Sequence, residues 1–126
     1  MKIKSLDHLV LTVKDVDITS DFYVNVLGME KEIFKENRIA LKYGNQKINL
    51  HEYKNEFEPK AHKVMPGSAD LCFITENDIS SVLEHLKNLN ITILEGPIKR
   101  TGACGEILSL YIRDPDLNLI EISNYI

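Results

Sequence analysis

The hydrophobic pattern of the chain occurs twice. Residues 7–13 (DHLVLTV) and 69–75 (ADLCFIT) are short stretches in which the residues alternate between two faces, as in a half-buried strand. Each stretch is followed by apolar residues at helical spacing, which predicts helices near 16–27 and 78–89. A pattern of elements that repeats within one chain indicates a duplicated module.

Three further strands are predicted after each helix. In the first half they lie at 30–35, 38–43 and 46–53, and in the second half at 91–94, 106–113 and 117–124. Turn sequences, Gly44-Asn45 and Asp114-Pro115-Asp116, join the last two strands of each set. The unit is therefore βαβββ, occurring twice, and the fold class is α+β.

The chain is long enough for one domain with a sizeable core. We predict a single domain over 1–126, made of module one (1–54), a linker (55–68) and module two (69–126). The linker is polar and contains two prolines, as expected of a loop.

The ends and buried faces of both helices can be predicted. Asp15 or Asp17 can cap the first helix, and Gly28 ends it. Asn77 or Asp78 can cap the second. The expected buried positions are Ile18, Phe22 and Val26 in the first helix and Ile79, Val82, Leu83, Leu86 and Leu89 in the second.

A glutamate interrupts the last apolar strand. Ile120 and Ile122 direct one face of this strand towards a helix, so Glu121 points to the opposite face. A buried carboxylate without a partner is costly, so Glu121 must face solvent, meet a cation or bind a metal. Alternation places four metal-capable residues on the face turned away from the helices: His8, His51, Asp70 and Glu121.

The alignment of the two modules does not decide which residue of module one corresponds to Glu121. Without gaps, His51 falls on Glu121, whereas a shift of two residues sets Asn49 there instead. Two imidazoles and two carboxylates suit a divalent ion of Ni, Zn, Mn, Co or Fe. His62 and His85 lie outside this pattern, and we expect both at the surface.

Composition and charge exclude several classes of function. The net charge is −4 with acidic and basic residues interleaved, so no nucleic-acid partner is expected. No apolar run approaches the ~20 residues that span a bilayer, and no signal peptide is recognisable, so no membrane association is expected. Two cysteines, Cys72 and Cys104, fit a reducing compartment, and we predict a cytoplasmic protein.

Several motifs together resemble the vicinal oxygen chelate superfamily, which includes glyoxalase I, bleomycin-resistance and fosfomycin-resistance proteins and extradiol dioxygenases. They are LDHLVLTV, FYVNVLGM, KINLHE, FEPKA, PGSADLCFIT, EGP, RTGACGEI and RDPDLNLIEISNY, and they are most similar to proteins of the glyoxalase-domain-containing protein five type. The resemblance implies paired βαβββ modules in a cupped eight-stranded mixed sheet, a central metal and a homodimer.

The resemblance also implies roles for individual residues. His8 and Glu121 match the first-strand histidine and last-strand glutamate ligands. Asp70 stands where glyoxalase I has histidine or glutamine, and Asn49 or His51 stands where bacterial glyoxalase I has glutamate. These two differences from glyoxalase I concern residues that glyoxalase activity requires. They also leave the identity of two metal ligands undecided.

The function that follows is metal-dependent lyase, isomerase or thiol-transfer chemistry on a small oxygen-rich substrate or its thiol adduct. Glu121 is the candidate catalytic base, and Asn49 and Arg100 are candidate substrate-binding residues. Two alternatives are a metal-free drug-sequestering protein of the bleomycin-resistance type and an extradiol-type dioxygenase. The His8–Glu121 pair argues against the first, and the presence of only two modules argues against the second.

Overall fold

The computed structural model describes residues 1–126 and contains eight strands and two helices. In chain order these are β1 (His8–Val13), α1 (Val16–Asn25), β2 (Glu30–Phe34), β3 (Arg38–Tyr43), β4 (Gln46–Glu52), β5 (Asp70–Ile74), α2 (Ile79–Asn88), β6 (Glu95–Thr101), β7 (Glu106–Arg113) and β8 (Leu119–Tyr125). Neither helix is long and apolar enough to cross a membrane.

The chain divides into two compact units, residues 1–68 and 69–126. Each unit contains one four-stranded sheet, with the order β1-β4-β3-β2 in unit 1 and β5-β8-β7-β6 in unit 2. In both sheets one strand pair is parallel and the others are antiparallel. This confirms the predicted α+β fold with a duplicated βαβββ unit. The eight strands form two hydrogen-bonded sheets of four rather than one continuous sheet.

Helix α1 buries a face that agrees only in part with its apolar residues: Val26, at the C-cap, is buried as predicted. Asp15 caps the helix, and its Oδ1 accepts a hydrogen bond from the N–H of Ile18 at 3.0 Å. Ile18 itself is 57% exposed, whereas Tyr23 is fully buried. The buried face also includes Ser20, whose hydroxyl donates to the Val16 carbonyl at 2.7 Å. Because this internal hydrogen bond satisfies the hydroxyl, a small polar residue can face the core.

Helix α2 is capped by a residue distant in sequence. Asp78 occupies the N-cap position but makes no side-chain capping hydrogen bond. The N–H of Ile79 donates instead to Oδ1 of Asn124, at the end of β8, at 2.8 Å. Leu86 is fully buried as predicted, whereas Leu89, at the C-cap, is 42% exposed.

The predicted strand at 91–94 is wrong, and β6 begins only after it. Asn90 adopts a left-handed conformation with φ 57°, and the N–H of Ile91 donates back to the Leu86 carbonyl at 2.9 Å. Helices commonly end in this way. The first residue of the apolar run therefore belongs to the end of α2 and not to a strand. The other predicted strands and helices agree with the structure to within two residues at each end.

The dipeptide Gly96-Pro97 is the reason that the sequence did not predict a strand at the position of β6. Proline has no N–H and is tolerated at a sheet edge or at a bulge, and β6 is the edge strand of its sheet. The pairing with β7 shifts register between Glu95 and Ile98, which brackets this dipeptide. A Cβ on Gly96 would lie 2.3 Å from the Ser109 carbonyl oxygen, so only glycine fits there.

A buried polar network fixes the connection between β7 and β8. Asp114 is 3% exposed, and its Oδ1 accepts hydrogen bonds from the N–H groups of Asp116 and Asn118, both at 2.9 Å. Asn118 is fully buried, and its Nδ2 donates to the other carboxylate oxygen of Asp114 at 2.8 Å. Its Oδ1 accepts from the N–H of Ala69 at 2.8 Å, so the same side chain ties β8 to the start of β5.

Replacing Asn118 should therefore destabilise the protein strongly. Asn118→Ala removes the hydrogen bonds that the Asn118 side chain makes with the Asp114 carboxylate and with the N–H of Ala69, in a fully buried place, and we expect a loss of about 2–4 kcal/mol in the free energy of unfolding. Urea denaturation of wild type and variant measures the difference. Asn25→Ala, at an exposed position at the end of α1, is the matched control and should change stability little. Equal losses in the two variants would contradict the structural role of the network.

Candidate functional site

Glu121 occupies the position that alternation predicts for it. Its neighbours Ile120 and Ile122 are 0% and 5% exposed, and Glu121 pairs with Cys72 of β5 and Tyr111 of β7. Its Oε1 atom is buried and has no hydrogen-bond partner. Because buried polar atoms in proteins are nearly always paired, this oxygen is a candidate for binding a ligand or cation.

Tyr111 and Arg100 form a polar network beside Glu121. Arg100 lies in β6, and its Nε donates to the Tyr111 hydroxyl at 3.1 Å while its Nη2 donates to Glu95 at 3.2 Å. Burial and the neighbouring Glu121 carboxylate raise the pKa of Tyr111, although Arg100 opposes the shift. Tyr111 is thus a phenol at neutral pH, able to accept from Arg100 and donate towards Glu121.

This network gives Arg100 a role that the sequence did not predict. The substrate-binding role predicted for Arg100 stays a prediction, and within unit 2 its Nε and Nη2 donate to Tyr111 and Glu95. Tyr111 itself was missed. The hairpin turn at 114–116 sets an antiparallel register in which Tyr111 pairs with Glu121, and counting outward from that turn would have found it.

Cys72 lies next to Glu121 as a protonated thiol. Burial raises the pKa of Cys72, and the carboxylates of Glu121 and Asp70 raise it further. Its sulfur is 3.5 Å from the hydroxyl of Ser123, which is in turn 2.8 Å from that of Ser109. The surroundings of Cys72 therefore disfavour the nucleophilic thiolate.

The strand register in the two units shows which residue of unit 1 corresponds to Glu121. In unit 2, Asp70 pairs with Leu119, so Glu121 lies two residues beyond the partner of Asp70. Aligning DHLVLTV with ADLCFIT sets His8 on Asp70. In unit 1, His8 pairs with Lys47, and the residue two beyond is Asn49. The register therefore matches the alignment that is shifted by two residues. The Oδ1 of Asn49, like the Oε1 of Glu121, is buried and lacks a hydrogen-bond partner.

His51 lies two residues further along the same face of β4 and is 2% exposed. An Arg38 Nη2 atom lies 3.4 Å from its Nε2. Because guanidinium only donates, Nε2 accepts and the proton is on Nδ1. Burial lowers the pKa of His51, Arg38 and Lys60 lower it further, and Glu56 opposes them. His51 is therefore a neutral imidazole whose Nδ1 has no partner.

A cavity of about 370 Å³ adjoins His51 within unit 1. Its polar lining consists of Thr12, His51 and Lys60, and its apolar lining comes from both β1 and the linker. The volume is in the range of small-molecule binding sites. Lys60 and Arg38 were not singled out from the sequence, because neither belongs to a recognisable motif and the folded linker brings Lys60 to the cavity.

Within neither unit do three or more histidine, cysteine, aspartate or glutamate side chains group closely enough to hold a metal. His8 and His51 share a face of their sheet, but His8 pairs with Lys47 and His51 is four residues further along β4. Because the predicted ligand set takes residues from both units, it stays a prediction. His62 and His85 are exposed, as expected.

Two side chains nevertheless fit a divalent ion chemically. The Nδ1 of His8 is 2.8 Å from Oδ2 of Asp7, and a histidine held this way by a carboxylate presents its Nε2 to a metal. Glu121 contributes a carboxylate oxygen that no protein group satisfies. An imidazole nitrogen and a carboxylate oxygen are suitable donors for Zn, Mn, Co, Ni or Fe.

The repeated βαβββ unit, with one four-stranded mixed sheet in each copy, defines a class of duplicated α+β proteins. The chain belongs to the Glyoxalase/Bleomycin resistance protein/Dioxygenase superfamily, whose sequence profile matches residues 5–122. This confirms the resemblance to the vicinal oxygen chelate superfamily.

Individual relatives cover nearly the whole chain. It is 58% identical over 126 residues to Virulence protein STM3117 of Salmonella typhimurium, covering 100% of this chain and 88% of the relative. The crystal structure of that protein matches with a TM-score of 0.99 and covers 100% of both chains. Glyoxalase domain-containing protein RDO1 of Mycosarcoma maydis is 54% identical, covering 99% of this chain and 70% of the relative. Metallothiol transferase FosB of Staphylococcus epidermidis is 27% identical, covering 97% and 82%.

Because the pKa of His51 is lowered, we expect the folded protein to lose stability as the pH falls. Below the ordinary histidine pKa of about 6.5, His51 binds a proton in the unfolded state but stays unprotonated in the folded state. The free energy of unfolding should therefore fall with decreasing pH, by at most about 1.4 kcal/mol per pH unit from this residue. His51→Gln should flatten the decline between about pH 7 and about pH 5.5, as measured by urea denaturation.

His62→Gln is the control for this prediction, because His62 is exposed. It should keep the wild-type dependence on pH. A His51→Gln curve parallel to wild type would show that His51 does not resist protonation in the folded state.

Proposed function

We propose that this protein is a metal-dependent enzyme of the glyoxalase-like type, with lyase, isomerase or thiol-transfer chemistry on a small oxygen-rich substrate. The observation that carries the proposal is the buried, unpartnered Oε1 of Glu121. Membership of the superfamily supports it, as does the similarity to a relative named as a metallothiol transferase. A thiol adduct is one form that the substrate can take.

The proposed ligands begin with His8 and Glu121, the two residues that fit a divalent ion chemically. Asp70 completes the set from unit 2, and His51 or Asn49 from unit 1. Of these last two, Asn49 has the same register position as Glu121 and an unpartnered oxygen. When bound, a Ni, Zn, Mn, Co or Fe ion stabilises negative charge on a substrate oxygen.

The proton-transfer role in this proposal belongs to Glu121. Its carboxylate can take a proton from the substrate and return it to a neighbouring atom, as a general base and acid. Tyr111 is the strand partner of Glu121, from which its hydroxyl is proposed to donate to the carboxylate, and Arg100 holds Tyr111 through the 3.1 Å hydrogen bond to its hydroxyl. Arg100 and Tyr111 are therefore positioning residues.

Metal binding tests the proposal directly. Glu121→Gln keeps the size of the side chain and removes its charge, so it should weaken binding of Zn²⁺ or Mn²⁺ by about 100-fold or more, and His8→Ala should do the same. Tyr111→Phe should weaken it by about tenfold. Isothermal titration of metal-free protein measures all three affinities, and circular dichroism checks that each variant is folded.

Glu84→Gln and His62→Ala are the matched controls, because both residues are exposed. Neither should change the affinity. Tight binding by Glu121→Gln would contradict the role of this carboxylate. A wild-type protein that binds no divalent metal but binds drugs would favour the sequestering alternative, and an iron-specific site would favour the dioxygenase.

We also propose that the protein is a cytoplasmic homodimer. Exposed isoleucines on α1, β2 and β5 offer apolar surface to an interface: Ile18, Ile33 and Ile74 are 57%, 63% and 53% exposed. Sedimentation equilibrium at micromolar concentration should give twice the mass of 14.4 kDa. A monomeric mass at that concentration would refute the dimer.

A further inference from the structure

The cavity of unit 1 is built from β1, β4 and the linker segment 59–64. Its apolar lining consists of Val10, Pro59, Ala61 and Val64. Most of the lining is thus hydrocarbon, and the few polar groups are available to fix the orientation of a bound molecule.

One of these polar groups is a buried donor without an acceptor. His51 is 2% exposed, its Nε2 accepts from Arg38, and its Nδ1–H has no partner in the protein. A buried N–H group that stays unpaired costs about 1–3 kcal/mol, so such groups are rare unless a ligand or water satisfies them.

The tautomer of His51 is fixed by a rigidly held cation. The guanidinium carbon of Arg38 is 4.4 Å from the ring centre of Phe57 and 5.3 Å from that of Phe34. Phe57 also packs edge-on against the His51 ring, with 5.4 Å between ring centres. Since Arg38 is held between two aromatic rings and remains charged, Nε2 continues to accept and Nδ1 continues to donate.

The second available donor is Lys60. Its ammonium is 3.9 Å from Glu56 and 3.7 Å from Glu58, distances too long for hydrogen bonds. The Glu58 side chain is 74% exposed, so water screens its charge. At His51, Arg38 and Lys60 both lower the pKa and Glu56 raises it, so two cations oppose one carboxylate there. The ion pairs of Lys60 with Glu56 and Glu58 are long, which leaves its N–H groups able to donate to a ligand.

We propose that this cavity binds a small organic acid, a carboxylate or phosphonate with a short apolar chain. Its anionic oxygens accept hydrogen bonds from His51 Nδ1–H and from the Lys60 ammonium. The chain of the ligand packs against Val10, Pro59 and Val64. The contacts it uses lie in unit 1, and it requires no metal. It rests on one choice within the proposed function: because Nε2 of His51 accepts from Arg38 and Nδ1 carries the proton, the metal ligand from unit 1 is Asn49 and not His51.

The test uses the full chain with its histidines labelled with ¹⁵N, freed of metal with EDTA and then transferred to buffer without chelator. Hexanoate, hexylphosphonate and the neutral hexanamide are titrated in turn while the imidazole resonances are recorded by NMR. The four histidines give separate signals, and His51→Gln identifies the one that belongs to His51. We expect the His51 signal to show the Nδ1–H tautomer and to shift on addition of hexanoate, with an affinity about tenfold higher than for hexanamide.

Lys60→Met and Lys63→Met form the matched pair of variants, because Lys63 is an exposed linker residue that does not line the cavity. Lys60→Met should lose the preference for hexanoate over hexanamide and retain weak binding of both. Lys63→Met should behave as wild type.

Each outcome decides the proposal. Tighter binding of hexylphosphonate than of hexanoate assigns the site to dianionic ligands, and the reverse assigns it to monocarboxylates. Equal affinities for hexanoate and hexanamide, a His51 signal that does not move, or an unchanged preference in Lys60→Met would each overturn the anion site. Because the protein is metal-free throughout, none of these results depends on the metal proposed for His8 and Glu121.

Discussion

The register of the two parallel strand pairs, β1–β4 and β5–β8, is the constraint on which the other features of both units depend. A slip of one residue would turn Ile120 and Ile122 away from the helix and put Glu121 in their place. In unit 2 this slip is opposed by Asn118, which joins the chain leading into β8 to the N–H of Ala69 before β5. The cost of breaking that buried network exceeds the small preference of any single strand pair, so the register is fixed.

A fixed register allows the protein to hold polar groups that are not satisfied internally. Glu121, Asn49 and His51 each carry a buried atom without a hydrogen-bond partner, and each such atom costs about 1–3 kcal/mol. The opposite faces of the sheets carry fully buried residues such as Ile48, Leu110 and Ile120, whose packing offsets that cost. The stability of the helix-packed faces thus supports polar groups, on the other faces, that are available to a ligand.

The two units use the same positions for different chemistry. In unit 2, a Ser109–Ser123 hydrogen bond of 2.8 Å lies beside the acidic Glu121. The register of unit 1 places His51 at the position equivalent to Ser123, where it is held by Arg38 and lies near Lys60. The equivalent positions therefore carry different groups, a serine pair in unit 2 and a histidine near two cations in unit 1, although both units have the same strand order.

The sequence by itself determined the duplicated βαβββ pattern and the face on which Glu121 lies, because alternation in a strand and periodicity in a helix are local properties. It could not place β6, since the backbone conformation at Gly96 and Pro97 depends on contact with β7. It could not distinguish Asn49 from His51 as the counterpart of Glu121, since that choice depends on pairing between strands far apart in the chain. Only the tertiary structure brought Arg100 to Tyr111 and Lys60 to the cavity beside His51, because charges on separate strands and loops leave no pattern along the chain.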